Sequence, residues 1–450
     1  MKHLFASFAL LLLAATQLSA AAASFTPDEP FTLSIDNPSG RYSRNQKATI
    51  KCSFEMPLLD TFTVRIYKNS KVVSEDKLCL ASQTDGGWMI PSEVTLLEQS
   101  YDETCHVYVE MESKKYATRG VGFLVEPEGF RPAYSEPADM MQWWEKQKKQ
   151  LRKMPMNLKV KDLEVPDQYK GKYICQDIEA DCLGPESMKA YFSKPVGAKK
   201  KSLPIIILCR AAGVAGDWCR CQVGECVGNA ALGNGALSLD LNAHGMENGH
   251  DTDFYKALED GPLHDYWNIG ISDRDDFYFH GMYLRVLRAI EFMTKQPEWD
   301  GKRILVIGES QGGGQAAAVA GLDSRVSAVV LNVPALMDFG APKAGRRAGW
   351  PQPIESHDEL TQAQLDAVLP YFDAALLLAH SKAEIFCEIG LIDTTCPAPS
   401  IYSGLNGAQG KKTINLVPYR THAWPDGKVR PSWDKDFYYP RLEFINNYLK

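Results

Sequence analysis

The stretch Arg-Ile-Leu-Val-Ile-Gly-Glu-Ser-Gln-Gly-Gly, residues 303–313, constrains the fold more than any other part of the chain. Four apolar residues lead into a Gly-x-Ser-x-Gly motif centred on Ser310, and a run of small residues follows at 315–320. A strand, a tight turn and a helix in this order are the setting in which such a motif exposes a nucleophilic serine. A helix N-terminus beside the serine favours the negative charge of acyl transfer. The motif alone leaves open an incidental serine in a glycine-rich turn.

The sequence around this motif alternates between apolar strands and helices. Continuous apolar strands separated by helices are typical of a parallel sheet covered on both faces. The pattern therefore predicts an α/β-hydrolase fold, mostly a parallel sheet with helices on both sides, over residues 161–450. Predicted strands are 204–209, 235–241, 303–309, 326–333, 384–389 and 413–417, and predicted helices are 279–296, 371–379 and 439–449.

Residues 25–128 show a different pattern, in which apolar and polar residues alternate along short runs. Period-two alternation predicts half-buried strands, and several of them in about 100 residues predict a small immunoglobulin-like β-sandwich. Cys52 and Cys105 fall on the apolar phase of their strands, so we expect them to form a disulfide inside the sandwich. A proline-punctuated boundary follows, and residues 129–160 are predicted to be a linker and a packing helix.

The N-terminus and the composition narrow the functional classes. Residues 1–22 combine a basic start, an apolar core and small residues, which predicts a signal peptide and an exported, periplasmic or secreted protein without a membrane span. The net charge of −7 gives no electrostatic reason to bind nucleic acid. Cys219, Cys221 and Cys226 cluster, but no matching ligands complete a zinc pattern, so we predict neither a metal nor a cofactor.

A serine nucleophile needs a base, and the base needs an acid that fixes its tautomer. The α/β-hydrolase order of serine, acid and histidine is met by Ser310, Asp393 and His422, each of which follows a predicted strand. Asp338 is a second candidate acid. His244, His357 and His380 are among the other histidines of this region, and His380 is more naturally structural.

The charge that develops on the acyl carbonyl oxygen requires backbone donors. One predicted donor is the amide of Gln311, the residue after the nucleophile. The second is expected from the loop Arg210-Ala211-Ala212-Gly213 after strand 204–209; the sequence leaves open which amide points inward, and we choose Ala212. His244 lies in the loop after strand 235–241, at the same sheet edge, and we expect it to contact the substrate.

Several of these segments together resemble carbohydrate esterase family 7, the acetyl xylan esterases and cephalosporin C deacetylases. The resemblance covers roughly residues 137–450 and implies removal of acetyl groups from sugar hydroxyls, with Ser310, Asp393 and His422 as the triad. It also implies a homo-oligomer, because the family is often hexameric. The segments that carry it are 285–291, 299–304, 308–313, 371–373 and Gly-Leu-Ile-Asp-Thr-Thr-Cys-Pro at 390–397.

Two loops depart from the family pattern. Where the family usually has a His-Gly-Tyr-Gly-Gly loop, this chain has Arg-Ala-Ala-Gly-Val-Ala-Gly at 210–216. Where the family usually has Arg-Gly-Gln-Gly, this chain has Asn-Ala-His-Gly at 242–245. The leading hypothesis is a serine esterase acting on acetylated plant-type polysaccharides. The alternatives are an exported serine peptidase, an esterase for another acyl group, and a non-catalytic carbohydrate-binding protein.

Overall fold

The computed structural model describes residues 30–55, 60–79, 82–84, 87–89, 91–356, 360–425 and 427–450. The predicted signal peptide at 1–22 and His357 lie outside the described residues. Within those residues, none of the helices combines the length and the apolar character that crossing a membrane would take.

The N-terminal part forms two facing sheets, a three-stranded sheet in the order β1-β3-β8 and a five-stranded sheet in the order β2-β10-β9-β4-β5. Alternate residues of β3 are buried, as the period-two pattern predicts, and pack with Phe62 and Phe123 in a common core. The strands are β1 (Phe31–Ile35), β2 (Arg41–Tyr42), β3 (Lys47–Phe54), β4 (Thr61–Lys68), β5 (Lys71–Cys79), β6 (Ser82–Thr84), β7 (Gly87–Met89), β8 (Glu93–Ser100), β9 (Cys105–Glu112) and β10 (Arg119–Val125). Strands β6 and β7 pair only with each other.

The predicted disulfide between Cys52 and Cys105 is wrong. Both residues lie fully buried in the core of the sandwich, on different sheets, as free thiols. Burial raises the pKa of each thiol to about 12, so both stay protonated and pack as small apolar groups. The alternating pattern places both side chains in the shared core, but it does not determine which core residues meet across it.

The C-terminal part contains one nine-stranded sheet in the order β11-β12-β13-β15-β14-β16-β17-β18-β19. The first four strands of this order pair antiparallel, and all pairs from β15 to β19 are parallel. This arrangement confirms the predicted α/β-hydrolase fold. The strands are β11 (Lys159–Leu163), β12 (Tyr173–Ala180), β13 (Met188–Pro195), β14 (Leu203–Cys209), β15 (Leu237–Leu241), β16 (Trp299–Glu309), β17 (Ala328–Asn332), β18 (Glu384–Gly390) and β19 (Lys412–Val417).

Helices cover this sheet. The longest helix, Tyr278–Thr294, packs in the main core. Twelve of its residues are buried because apolar side chains surround most of its circumference. The α-helices in the described residues are α1 (Met140–Lys153), α2 (Val223–Ala230), α3 (Thr252–Glu259), α4 (Tyr278–Thr294), α5 (Gln311–Leu322), α6 (Gln362–Val368), α7 (Ala374–Leu378), α8 (Ala398–Gly407), α9 (Arg430–Trp433) and α10 (Tyr439–Leu449). The domain boundaries at 128 and 160 remain predictions.

Candidate active site

Ser310 occupies a strained turn between β16 and α5. Its φ of 53° and ψ of −122° are unusual for a residue with a side chain, and its amide donates to the Asn332 carbonyl over 2.9 Å. Close approach requires the flanking glycines: a Cβ atom at Gly308 would overlap the backbone of Gly312, and one at Gly312 would overlap the Cys209 carbonyl. The turn therefore holds the serine at the end of the sheet, as the motif predicts.

Asp393 and His422 reach Ser310 from the loops after the two neighbouring strands, β18 and β19. His422 Nδ1 lies 2.8 Å from Asp393 Oδ2, and His422 Nε2 lies 2.9 Å from Ser310 Oγ. The other carboxylate oxygen, Asp393 Oδ1, accepts the amides of Thr395 and Cys396, each over 2.8 Å. With a carboxylate at Nδ1, the ring carries its proton there, and Nε2 is left to accept the serine proton.

A buried charged network supports the loop that carries His422. Arg420 is 1% exposed and pairs with Glu388, a residue of β18, and with Glu309, which precedes the serine. Glu309 also accepts from the indole of Trp424 over 2.6 Å. The sequence analysis missed this network. The only signal was a set of charged residues in apolar strand-end segments, where an unpaired charge is costly.

Two groups of backbone amides are candidate oxyanion donors, one beside Ser310 and one in the loop after β14. The amide of Gln311 is in the first turn of α5, where helical N–H groups have no partner within the helix. In the loop after β14, the amides of Ala211 and Ala212 have no acceptor in the part of the chain that the structure describes. The Ala212 carbonyl is occupied by the Trp218 indole N–H, at 2.9 Å. The oxyanion roles predicted for Gln311 and Ala212 stay predictions.

Arg210 begins this loop, yet its side chain extends into the protein. Its guanidinium forms a two-point contact with Asp240 of β15 and a 2.7 Å ion pair with Glu225 of α2. Arg210 is 6% exposed and Asp240 is fully buried. The cation therefore anchors the loop after β14 to the neighbouring strand.

His244 is buried and contacts the loop after β14. Its ring is 1% exposed, with Nε2 3.0 Å from the Gly213 carbonyl and Nδ1 2.7 Å from the Tyr278 hydroxyl. Burial, and then the positive charge of Arg285, lower the pKa of His244 to about 3, so the ring is neutral. Both ring nitrogens of His244 have protein partners here. The substrate contact predicted for this residue stays a prediction.

The other candidate residues are not brought to the serine. Asp338 pairs with Arg346 over 2.8 Å and accepts the Ala133 amide, and burial raises its pKa. His380 contacts Glu136 over 2.9 Å. The thiols of the cysteine cluster point to three different carbonyls: Cys219 to Gly216, Cys221 to Asp240 and Cys226 to Tyr191.

Among the described residues, one group of potential metal ligands lies within 4.8 Å of one another: Asp393, Cys396 and His422. Two of its members, Asp393 and His422, already bond to each other. The third, Cys396, is fully buried, and burial followed by the nearby carboxylate raises its thiol pKa well above the usual value. This group therefore belongs to the arrangement around Ser310.

Known proteins resemble this chain in sequence and in fold. The model of the family "Acetyl xylan esterase (AXE1)" matches residues 124–429. "Acetyl esterase Axe7A" of Xylanibacter ruminicola is 27% identical over 310 residues, and the match spans 67% of this chain and 66% of that protein.

Two solved structures share the fold. The acetyl xylan esterase from Paenibacillus sp. R4 is 24% identical with a TM-score of 0.57, over 72% of this chain and 99% of that one. Acetyl xylan esterase 1 from Thermoanaerobacterium sp. JW/SL YS485 is 20% identical with a TM-score of 0.56, over 72% of this chain and 98% of that one. The family model spans well over half of the sequence and confirms the resemblance of the motifs, so this chain belongs to the acetyl xylan esterase family.

Proposed function

We propose that this protein is a serine esterase that removes acetyl groups from acetylated plant-type polysaccharides or their oligosaccharides. Family membership supports the ester-hydrolase chemistry. The names of its relatives support an acetyl ester on xylan as the substrate class. The observation that carries the proposal is the unbroken path of two hydrogen bonds, 2.8 and 2.9 Å long, from Asp393 through His422 to Ser310.

The first half of the reaction forms an acetyl-enzyme. Ser310 Oγ attacks the acetyl carbonyl carbon while its proton passes to His422 Nε2. Asp393 stabilises the resulting imidazolium through its bond to Nδ1–H. The amide of Gln311 and one amide of the loop after β14 donate to the oxyanion. When the tetrahedral intermediate collapses, the bond to the sugar oxygen breaks and His422 returns its proton to that oxygen.

The second half releases acetate. Water gives a proton to His422 Nε2 and attacks the acetyl-enzyme, and the same amides hold the oxyanion. The bond to Ser310 Oγ then breaks, and His422 protonates the serine. In each half of the reaction, His422 Nε2 takes up a proton and gives it back. These steps therefore need no proton carrier beyond this ring.

Ser310→Ala tests the proposal. With p-nitrophenyl acetate we expect kcat to fall by at least about 10⁴-fold, because the nucleophile is lost while the fold is kept. Ser193→Ala is the matched control: it removes a buried serine hydroxyl that bonds the Ile174 carbonyl, far along the sheet order from Ser310. It should keep wild-type turnover. Retained activity in folded Ser310→Ala would refute the assignment.

The acyl group and the polymer need separate measurements. A series of p-nitrophenyl esters from acetate to octanoate, beside an aminoacyl nitroanilide, tests the alternatives of a longer acyl group and of a peptidase. Acetate release from acetylated xylan, pectin and mannan then ranks the polysaccharides. Binding of xylan without acetate release would favour the non-catalytic alternative.

Three further expectations rest on sequence patterns or on the family resemblance. We propose export to the periplasm or the medium, from the signal-peptide pattern of residues 1–22, and a homo-oligomer, from the family resemblance. N-terminal sequencing of the mature protein tests the first, and light scattering coupled to size-exclusion chromatography tests the second. Nucleic acid has no proposed role.

A further inference from the structure

The β-sandwich touches the α/β part at the two loops that carry Asp393 and His422. The amide of Gly122, in β10, donates to the Pro418 carbonyl over 2.8 Å. Pro418 follows β19 and precedes His422 by four residues. Gly122 has no room for a side chain, because a Cβ atom there would overlap the Leu391 carbonyl oxygen. Leu391 follows β18 and precedes Asp393 by two residues.

His106, in the neighbouring strand β9, holds the same carbonyl. Its Nε2 lies 2.8 Å from Leu391 O, and the residue is fully buried. A carbonyl only accepts, so Nε2 carries the proton and Nδ1 is unprotonated. Nδ1 has no hydrogen-bond partner within the described residues. The ring therefore makes a single polar contact, and that contact goes to the acid loop.

Two more glycines complete the contact. A Cβ atom at Gly40 would stand 2.6 Å from Leu391 Cδ1 and 3.3 Å from Pro418 Cγ, and one at Gly120 would stand 3.3 Å from Ile392 Cδ1. We call Gly40, His106, Gly120 and Gly122 the brace. Gly122 and His106 contact the backbone of the two loops, and Gly40 and Gly120 lie against their side chains.

We infer that the brace positions Asp393 relative to His422. The sandwich then contributes to the geometry of the catalytic site. The inference rests on the proposed function. Within the α/β part, the two loops are joined by bonds from Leu391 N to Val417 O and from Ile392 N to Arg420 O, 3.0 and 3.1 Å long. The brace adds a second set of contacts. Through Gly122 of β10 and His106 of β9, both loops are joined to the sandwich. Displacement of a catalytic group by about 1 Å costs on the order of 10²-fold in rate.

Gly122→Ala is the sharpest test, because one methyl group must displace the Leu391 carbonyl or the strand. We expect kcat to fall about 10- to 100-fold with KM within about twofold, since the substrate is not touched. We also expect the limb of the kcat–pH profile set by His422 to shift, because its distance to Asp393 changes. Val121→Ala is the control, since its side chain packs in the sandwich core. It should lower Tm and leave kcat and the pH limb unchanged below both melting transitions.

A pair of variants at His106 gives an independent test. His106→Gln keeps an N–H donor for Leu391 O and should keep kcat within about threefold of wild type. His106→Leu leaves that carbonyl unpaired and should lower kcat about tenfold with the same shifted pH limb. If Gly122→Ala does not fold, this pair decides the question, because rescue by glutamine is not expected of a residue that only fills space.

The outcomes separate this inference from the proposed function. If Ser310→Ala is inactive while folded Gly122→Ala and His106→Leu keep wild-type kcat and pH limb, the positioning role is wrong and the esterase assignment stands. A change in KM alone would also overturn the positioning role. Retained turnover in Ser310→Ala would overturn both.

Discussion

Two sides of the site around Ser310 are held in different ways. On the side of Asp393 and His422, the loops contact the sandwich through backbone hydrogen bonds, the ring of His106 and closely packed glycines. The buried ion pairs of Arg420 add support from within the α/β part. On the opposite side, the loop after β14 is held by side chains: Arg210 on Asp240 and Glu225, the ring of His244 on Gly213, and the indole of Trp218 on Ala212.

The difference has consequences for how each side fails. Backbone contacts between closely packed segments leave little free space, so an added methyl group displaces the neighbouring segment. A loop held by buried side-chain charge fails when one partner is removed, because the remaining charge has no compensation. On the acid–base side, the contact with the sandwich should therefore be sensitive to size. The oxyanion side should be sensitive to charge and hydrogen bonding.

The largest expected effect is on the ion pair of the oxyanion side. Asp240→Ala leaves the buried guanidinium of Arg210 with Glu225 alone, and we expect the free energy of unfolding to fall by about 3–5 kcal/mol in urea titrations. Asp217→Ala is the control, since its pair with Arg220 has a carboxylate side that is 56% exposed and should cost less than about 1 kcal/mol. A loss below about 1 kcal/mol for Asp240→Ala would show that the loop does not depend on this pair.

The next effect concerns the oxyanion donor itself. Proline has no N–H, so Ala212→Pro should lower kcat about 10²- to 10³-fold, about 3–4 kcal/mol, if Ala212 is the second donor. Ala211→Pro, one residue earlier in the same loop, is the matched comparison. If Ala211→Pro shows the large loss and Ala212→Pro does not, the donor is Ala211. Circular dichroism of both variants establishes that the loop change has not unfolded the protein.

A pH effect is expected on the acid–base side. Burial lowers the pKa of His106 to about 4, against the smaller opposing effects of the Leu391 carbonyl and the Asp393 carboxylate. The unfolded chain binds this proton below about pH 6.5 and the native chain only below about pH 4. The free energy of unfolding therefore falls as the pH drops through this window, by on the order of 3 kcal/mol for this residue.

His106→Gln should remove this part of the pH dependence. His244, with its pKa lowered to about 3, contributes in the same direction to both proteins, so the difference between them isolates His106. Urea titrations at pH 7, 6, 5 and 4.5 measure it. Parallel curves for wild type and His106→Gln would contradict a buried neutral histidine.

The smallest expected effect is at His244. His244→Phe keeps the ring volume but leaves the Gly213 carbonyl and the Tyr278 hydroxyl without their bonds. We expect kcat to fall about fivefold, about 1 kcal/mol, through a looser oxyanion loop. His380→Phe, at a partly exposed contact with Glu136, should be silent. A raised KM with unchanged kcat would instead support the substrate contact predicted from the sequence.

The features of the fold that are predicted correctly from the sequence are local ones. The turn at Ser310 and the parallel strands each depend on a few neighbouring residues. The triad roles of Ser310, Asp393 and His422 rest on the order of these residues along the chain and stay predictions. Short helices such as α2, α3 and α6 were not predicted, because seven or eight residues carry little periodicity. The orientation of Arg210 was also beyond reach. A charged residue in a predicted catalytic loop suggests a role toward substrate, whereas its partner lies thirty residues away in Asp240.

The brace could not be predicted for a related reason. His106 and Leu391 are 285 residues apart, and neither has an unusual neighbourhood in sequence. The sandwich pattern places His106 on a strand, but it gives no information about which loop meets that strand. Equally, the alternation that places Cys52 and Cys105 in one core does not measure the distance between them.

The position of β10 bears on how this protein can be divided. The family match begins at residue 124, inside a strand that ends at Val125. A recombinant catalytic fragment started there would cut the strand between Phe123 and Leu124 and discard all four residues of the brace. Such a fragment would keep Ser310, Asp393 and His422, and we expect it to be a poor enzyme if the brace positions the last two. A fragment chosen from the homologous region alone would then lack part of what shapes the site.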